Sequence, residues 1–237
     1  MRSPSGRIIN KKEIQAIRKE LDLDLETDTL ERYETYIEDL YSVTASLQKK
    51  EFVSKTGWKD FVPVVDDSTA RFLQLILQMK KPKTILEIGT SIGFSATSMA
   101  LTAREYGGTI TTIEFDPAAA AQAKNNFVRS GVDSTIQILE GDACQIVPGF
   151  SDASFDFIFQ DVDKQLYPCL LKDCIRILKP GGVFIADDAL FPVMDLDSKW
   201  GDQVKPIGEF NHIVVNSTEL SSTLLPIGDG MIVAVKK

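Results

Sequence analysis

Residues 84–98 read TILEIGTSIGFSATS. The opening positions are aliphatic or β-branched and predict a buried strand. Gly89 and Gly93 then interrupt it, and FSATSMALTARE continues with a helical texture. Strand, glycine-bearing turn and helix in that order begin a βαβ unit. The alternation recurs downstream. TITTIEF precedes PAAAAQAKNNFVRSG, TIQILEG precedes a short helix, and FDFIFQD precedes QLYPCLLKDCIRILKPGG, which leads into VFIADDALF. Right-handed crossovers force such strands into a mostly parallel sheet covered on both faces. STLLPIG and MIVAVKK, joined by Asp229-Gly230, predict an antiparallel hairpin at the C-terminal end. The expected fold is therefore α/β, with a doubly wound, mostly parallel, seven-stranded sheet. Pro117 suits the first turn of a helix, and Gly181-Gly182 are placed just after a helix with a basic end.

Before residue 63 the pattern is different. IQAIRKELDLD and LERYETYIEDLYSVTASLQKK space apolar residues as helices do, and GWKDFVPVVDD reads as a connection. DDSTARFLQLILQMKK predicts a helix with an acidic start and a basic end, as the helix dipole favours. One domain is expected over 1–237, with 1–62 as a helical extension and 63–237 as the core. The formal charge of −8 disfavours long nucleic acid as a partner, and no apolar run approaches a membrane span. No secretory signal is read at MRSPSGRIINKKE. Cys144, Cys169 and Cys174 lack the even count and spacing of a disulfide framework, so the expected compartment is the cytoplasm. Cys169 and Cys174 are expected to be small buried or half-buried residues.

The turn at 89–94 lies where open parallel sheets bind ligands, beyond the carboxyl ends of the strands. A dinucleotide fingerprint needs glycine at 89, 91 and 94, but Ser91 and Phe94 stand at two of these. The remaining pattern is Glu87, Gly89 and Gly93. Glycine lets backbone approach a ligand closely, and a carboxylate suits an ammonium better than a phosphate. Ser95 and nearby amides can hold a carboxylate at the helix start. Such a ligand has the groups of an amino acid. Glu114 ends the second strand, where these folds place the acid that meets a ribose. Asp142 follows the third strand and can face an adenine amine. Amino acid, ribose and adenine together describe S-adenosylmethionine.

FDFIFQDVDKQLYP, at 155–168, turns from a buried strand into Asp161, Asp163 and Lys164. Asp187 and Asp188 end the fifth strand. Neighbouring strands lie about 4.8 Å apart, so these carboxylates are expected to converge. Like charges packed together need neutralising. A divalent cation would do this, and all-oxygen donors favour Mg2+, Mn2+ or Ca2+ over zinc. The only histidine, His212, lies far along the chain in an apolar-rich helical stretch. A solvated acidic rim with Lys164 in a surface ion pair is the competing reading. The cofactor argument favours the metal.

From about Val65 onward the chain resembles the cation-dependent O-methyltransferases, which include catechol and caffeoyl-CoA O-methyltransferases. The resemblance rests on EIGTSIGFS, IEFDP, FDFIFQDVDKQLY, LKPGGVFIADDALF and LPIGDGM. It implies a Rossmann-like methyltransferase fold, Asp161, Asp187 and Asp188 as metal ligands, and Lys164 with Asp161 as catalytic residues. It also implies that Val65, Glu87, Gly89, Thr90, Ser95, Glu114, Asp142, Ala143 and Asp161 line S-adenosylmethionine. The implied acceptor is a small hydroxylated aromatic with adjacent hydroxyls, and the implied assembly is a homodimer. Two positions depart from the family: Asp188 replaces its usual asparagine, and Phe191 its usual tryptophan. The segment PVMDLDSKWGDQVKP is expected to be a loop covering the acceptor, with Trp200 as an aromatic wall or a packing residue.

Three other functions compete. A tRNA hydroxyuridine O-methyltransferase would share the fold, and Arg7, Lys11, Lys12, Arg18 and Lys19 could supply its basic patch. A nicotinamide-dependent oxidoreductase is disfavoured by the missing glycines. A cofactor-binding module without chemistry has no need to converge Lys164 and three aspartates.

Overall fold

A computed structural model of the protein describes residues 29–42, 47–56, 63–194, 196 and 200–237. The chain divides into two compact units, Met1–Ser46 and Leu47–Lys237. The first contributes helix α1 (Thr29–Tyr41). The second holds α2 (Lys49–Ser54) and the whole sheet. The helical pattern over 30–50 is thus divided between two helices. The stretch at 14–24, the five basic residues between Arg7 and Lys19, and residues 57–62 lie outside the described residues.

Seven strands form one sheet in the order β3-β2-β1-β4-β5-β7-β6. They are β1 (Thr84–Ile88), β2 (Thr109–Glu114), β3 (Ile136–Glu140), β4 (Phe155–Gln160), β5 (Leu178–Ala186), β6 (Leu220–Leu225) and β7 (Met231–Lys236). The first five pair in parallel, and β7 runs antiparallel to both β5 and β6. The connecting helices are α3 (Asp67–Lys80), α4 (Phe94–Ala103), α5 (Pro117–Arg129), α6 (Ala143–Ile146), α7 (Tyr167–Ile177) and α8 (Gly201–Val215). The chain order reverses between β1 and β4, so the ligand crevice of such a sheet falls between their carboxyl ends.

Side-chain alternation decides what each helix covers. Leu86, Ile88, Ile158 and Phe184 face one core, shared with α7 and α8 residues such as Tyr167, Leu171 and Phe210. Ile85, Phe157, Phe159 and Ile185 face the other, shared with Leu73, Phe94 and Met99 of α3 and α4. Glu87 has the parity of Ile85, so it points toward α4. Phe52 of α2 joins that second core and tilts against Phe94 at 5.3 Å. Asp116 caps α5 by accepting from the Ala118 amide at 2.8 Å, and Pro117 occupies its first turn.

Three local expectations change. The C-terminal pair is not closed by a two-residue Asp229-Gly230 turn: residues 226–230 separate the strands, and this longer loop docks on the end of β5. The Ala189 amide donates to the Gly230 carbonyl and the Leu190 amide to that of Asp229. Gly181 and Gly182 lie within β5, because the strand begins at Leu178 and absorbs an irregularity against Phe155–Phe157. Gly201–Pro206, read as loop, is the first part of α8, with Pro206 inside the helix. Asp195 and residues 197–199 lie outside the described residues.

Candidate active site

The glycine turn after β1 is fixed by backbone approach. Gly89 has φ +99, and a Cβ there would sit 1.9 Å from the Asp161 carbonyl oxygen. Only glycine lets the ends of β1 and β4 come this close. Gly93, at φ +84, precedes α4, and a Cβ there would meet the Phe127 ring at 2.5 Å. The chain itself uses this freedom to bring its own segments together.

Glu87 is fully buried. Its Oε1 accepts from the Ser95 hydroxyl at 2.6 Å and its Oε2 from the Thr112 hydroxyl at 2.5 Å. Thr90 and Thr112 hydroxyls lie 2.5 Å apart. Burial pushes the Glu87 carboxyl up to about 8, against the opposing pull of its two hydroxyl donors. Ser95 is therefore turned toward Glu87. Glu114 Oε2 accepts from the Thr90 and Ser91 amides at 3.1 and 2.7 Å, and Oε1 from Asp116 at 2.9 Å. It clamps the glycine turn. Asp142 caps α6 through the Cys144 amide at 2.8 Å. Ala143, next to Asp142, is buried, as is Val65 just before α3. Thr112 was missed in sequence; its signal was a hydroxyl inside the buried run TITTIEF.

At the ends of β4 and β5 the sheet register sets Gln160 beside Ala186. Asp161 and Asp187 follow directly. Asp163 caps a 3-10 turn, Lys164–Leu166, accepting from the Gln165 amide at 2.9 Å. This turn aims Lys164 inward. Its Nζ lies 2.7 Å from Asp161 Oδ1 and 2.6 Å from Asp188 Oδ2, and 5.2 Å from the Tyr167 ring centre. Burial opposes the Lys164 charge, but Asp161, Tyr167 and Asp188 together hold its pKa well above the ordinary lysine value. Burial pushes Asp188 up to about 6 despite Lys164. Burial, then Asp161 and Asp188, push Asp187 well above the usual carboxylate range.

Asp188 adopts the left-handed conformation at φ 59, which short polar side chains tolerate better than others. Asp187 is buried, and its Oδ1 has no hydrogen-bond partner among the described residues. Tyr167, also missed as a site residue, donates its hydroxyl between the carbonyls of Gln160 and Asp187, at 3.1 and 3.3 Å. Phe191 is buried in the core. The Gln165 side-chain Nε2 donates to Asp202 Oδ2 of α8 at 2.8 Å. His212 sits on α8, as expected.

Sequence reasoning placed Cys169 in a buried or half-buried setting. It is exposed, while Cys174 is buried and Cys144 lies between. A separate cavity of about 220 Å³, lined by Lys80, Lys83, Asp156 and Lys179, opens at the amino ends of β1 and β4, the far edge of the sheet from the carboxylates. No described helix is long and apolar enough to cross a membrane.

The family model described as O-methyltransferase matches residues 37–237. A catechol O-methyltransferase from Niastella koreensis is 33% identical over 218 residues, covering 87% of this chain and 97% of its own length. Among solved structures, the O-methyltransferase from Bacillus cereus, in complex with SAH (S-adenosylhomocysteine), superposes with TM-score 0.73 at 26% identity. The match covers 85% of this chain and 97% of that one. TomG from Streptomyces achromogenes, in complex with SAM, shares the fold at TM-score 0.71 and 22% identity, covering 89% and 100%. With the seven-stranded sheet and the acid-bearing strand ends, these matches give the conclusion: the chain belongs to the S-adenosylmethionine-dependent O-methyltransferase family.

Proposed function

We propose that this enzyme moves the methyl group of S-adenosylmethionine to a hydroxyl of a small aromatic acceptor with adjacent hydroxyls. A divalent cation (Mg2+, Mn2+ or Ca2+) is held by Asp161, Asp187 and Asp188, and Lys164 is the general base. The observation that carries this reading is a buried lysine paired with both Asp161 and Asp188, beside the buried Asp187, where β4 and β5 end. The name of the Niastella relative supports the diol acceptor. Residues 1–237 act as one methyltransferase domain, with 1–62 as a helical extension. The cofactor lies along Val65, Glu87, Gly89, Thr90, Ser95, Glu114, Asp142, Ala143 and Asp161, the last bordering the acceptor.

The donors fit a hard cation in kind. All are carboxylate oxygens, and a buried carboxylate oxygen without a partner, as at Asp187 Oδ1, gains by meeting positive charge. They do not form a ready cage. Among the described residues no three acidic, thiol or imidazole side chains are set to hold a metal, and the Lys164 ammonium pairs with Asp161 and Asp188. A bound cation would supply the charge that acidifies an acceptor hydroxyl and offsets the carboxylate field around Lys164.

The chain supplies the rest. Burial by itself favours the neutral form of Lys164. With the carboxylate field offset, Nζ can first release its own proton to solvent and then take the hydroxyl proton. S-adenosylmethionine, held along the residues above, would supply an activated methyl to the acceptor oxygen and would be released as S-adenosylhomocysteine once its S–C bond is exchanged for the new O–C bond. β1 and β4 are neighbours, so donor and acceptor are presented side by side, and positioning lowers the barrier.

Calorimetry tests this. Protein loaded with S-adenosylhomocysteine is titrated with Mg2+ and Mn2+, beside an Asp161→Ala variant. One site in the native protein, lost in the variant, together with metal-dependent methylation of catechol, is expected. No metal binding in either protein, with catechol turnover indifferent to chelator, would sink the metal reading.

A further inference from the structure

Cys144 and Cys169 take no part in the chemistry above. They stand 25 positions apart in sequence, yet their Sγ atoms are 3.3 Å apart. A disulfide bond is about 2.05 Å long, so an approach of about 1.2 Å separates this pair from one. Cys144 is the second residue of α6 and Cys169 the third of α7. Cys169 is exposed, and its thiol donates to the Leu166 carbonyl at 3.1 Å. Its sulfur is then left to accept from the Cys144 thiol. Burial, then that hydrogen bond, push the Cys144 thiol up to about 12. The exposed sulfur is therefore the one an oxidant meets first, and the half-buried one is placed to resolve it. Cys174 is buried elsewhere, 3.6 Å from Gln160 Oε1.

We propose that Cys144 and Cys169 are a modification site, forming a reversible disulfide on exposure to hydrogen peroxide, and that this bond weakens cofactor binding. The Cys169 sulfur attacks a peroxide oxygen, the O–O bond breaks, and the products are a sulfenic acid and water. The Cys144 sulfur then attacks the Cys169 sulfur and displaces hydroxide, which leaves as water with the Cys144 proton. Two thiols lose two electrons and one peroxide becomes two waters. The second part of the proposal rests on the cofactor lining given above. Asp142 caps α6 by accepting from the Cys144 amide, so drawing Cys144 toward α7 shifts the Asp142-Ala143 wall. The same bond ties that wall to the helix entered through the Lys164 turn.

The test uses the full-length protein. It is treated with hydrogen peroxide, alkylated and digested without reductant, and its S-adenosylhomocysteine affinity is measured by calorimetry. A linked Cys144–Cys169 peptide, reversed by dithiothreitol, is expected, with Cys174 left as a thiol. Affinity should fall about tenfold, equivalent to about 1.4 kcal/mol, and stay unchanged in peroxide-treated Cys169→Ser. In Cys144→Ser the Cys169 sulfenic acid should persist and be trapped by dimedone. Sulfinic or sulfonic acid at Cys169 beside a free Cys144 would overturn the disulfide. A linked peptide with undiminished affinity would overturn its effect on the cofactor. Failure of the reduced protein to bind S-adenosylhomocysteine would instead overturn the cofactor lining, and the peptide map alone would then decide the disulfide.

Discussion

The two acidic strand-end clusters of this sheet are finished to different degrees. At the ends of β1 and β2, both oxygens of Glu87 accept hydroxyl hydrogen bonds and both oxygens of Glu114 accept amides. Folding alone satisfies that end. At the ends of β4 and β5, Asp187 Oδ1 is buried without a partner among the described residues, Asp188 sits in the left-handed region, and one lysine serves two carboxylates. That end keeps a buried polar atom that the described residues do not satisfy. Acids at the first end build the glycine turn; at the second, one buried carboxyl oxygen is left without a partner among the described residues.

Removing Lys164 should separate the two ends most. General acid–base groups contribute roughly 10²–10⁴-fold to rate. Lys164→Ala should lower kcat by about 10³-fold while S-adenosylhomocysteine affinity, measured by calorimetry, stays within about twofold. Equal loss of both would mean that Lys164 is part of the scaffold at both ends and not the base. Gly89→Ala attacks the seam between them. The added Cβ would meet the Asp161 carbonyl at 1.9 Å with φ at +99, so urea unfolding should show a loss of about 3 kcal/mol or more. A loss under about 1 kcal/mol would show that β1 and β4 part easily there.

The sequence made the sheet legible because its strands are nearly continuous apolar runs broken by glycine, which only a parallel sheet buried on both faces accommodates. It also showed that Asp161, Lys164, Asp187 and Asp188 meet, since parallel neighbours end together. It could not show who pairs with whom. Whether Lys164 approaches a carboxylate depends on the Asp163-capped turn, which swings its side chain by a local choice of backbone. Glu87 carried no sign of being sealed, because its partner Thr112 comes from another strand, 25 positions on. The length of the 226–230 loop was hidden for the same reason: Asp-Gly reads as a tight turn until its carbonyls are seen accepting from Ala189 and Leu190.

The sealed Glu87 gives a pH test of the finished end. Its folded pKa, about 8, lies above its ordinary value of 4.5. A raised carboxyl pKa means that the folded state binds the extra proton. Its contribution to stability is full below the ordinary value and is lost as pH rises toward the folded value, at up to about 1.4 kcal/mol per pH unit. Glu87→Gln keeps one accepting oxygen, offers an N–H to the other hydroxyl and cannot ionise. Its stability relative to the native protein should therefore climb between about pH 5 and 8, read from urea midpoints. Parallel pH curves for the two proteins would mean that Glu87 is charged at neutral pH and reaches solvent or a counter-charge.

Asp142 stands between the two behaviours and gives the smallest effect. It caps only a four-residue helix, through one amide. Asp142→Ala should cost about 1 kcal/mol as a lost cap, measured by urea unfolding. The cofactor lining proposed for it adds a second expectation: S-adenosylhomocysteine affinity should fall as well, by about fivefold, the scale of one modest hydrogen bond. Asp142→Asn retains a cap oxygen and should recover the stability. If it recovers the affinity too, the cap geometry carries both roles and Asp142 belongs with Glu87 and Glu114. If stability returns and affinity does not, the carboxylate charge itself meets the cofactor, and the finished end of the sheet also keeps one acid in reserve.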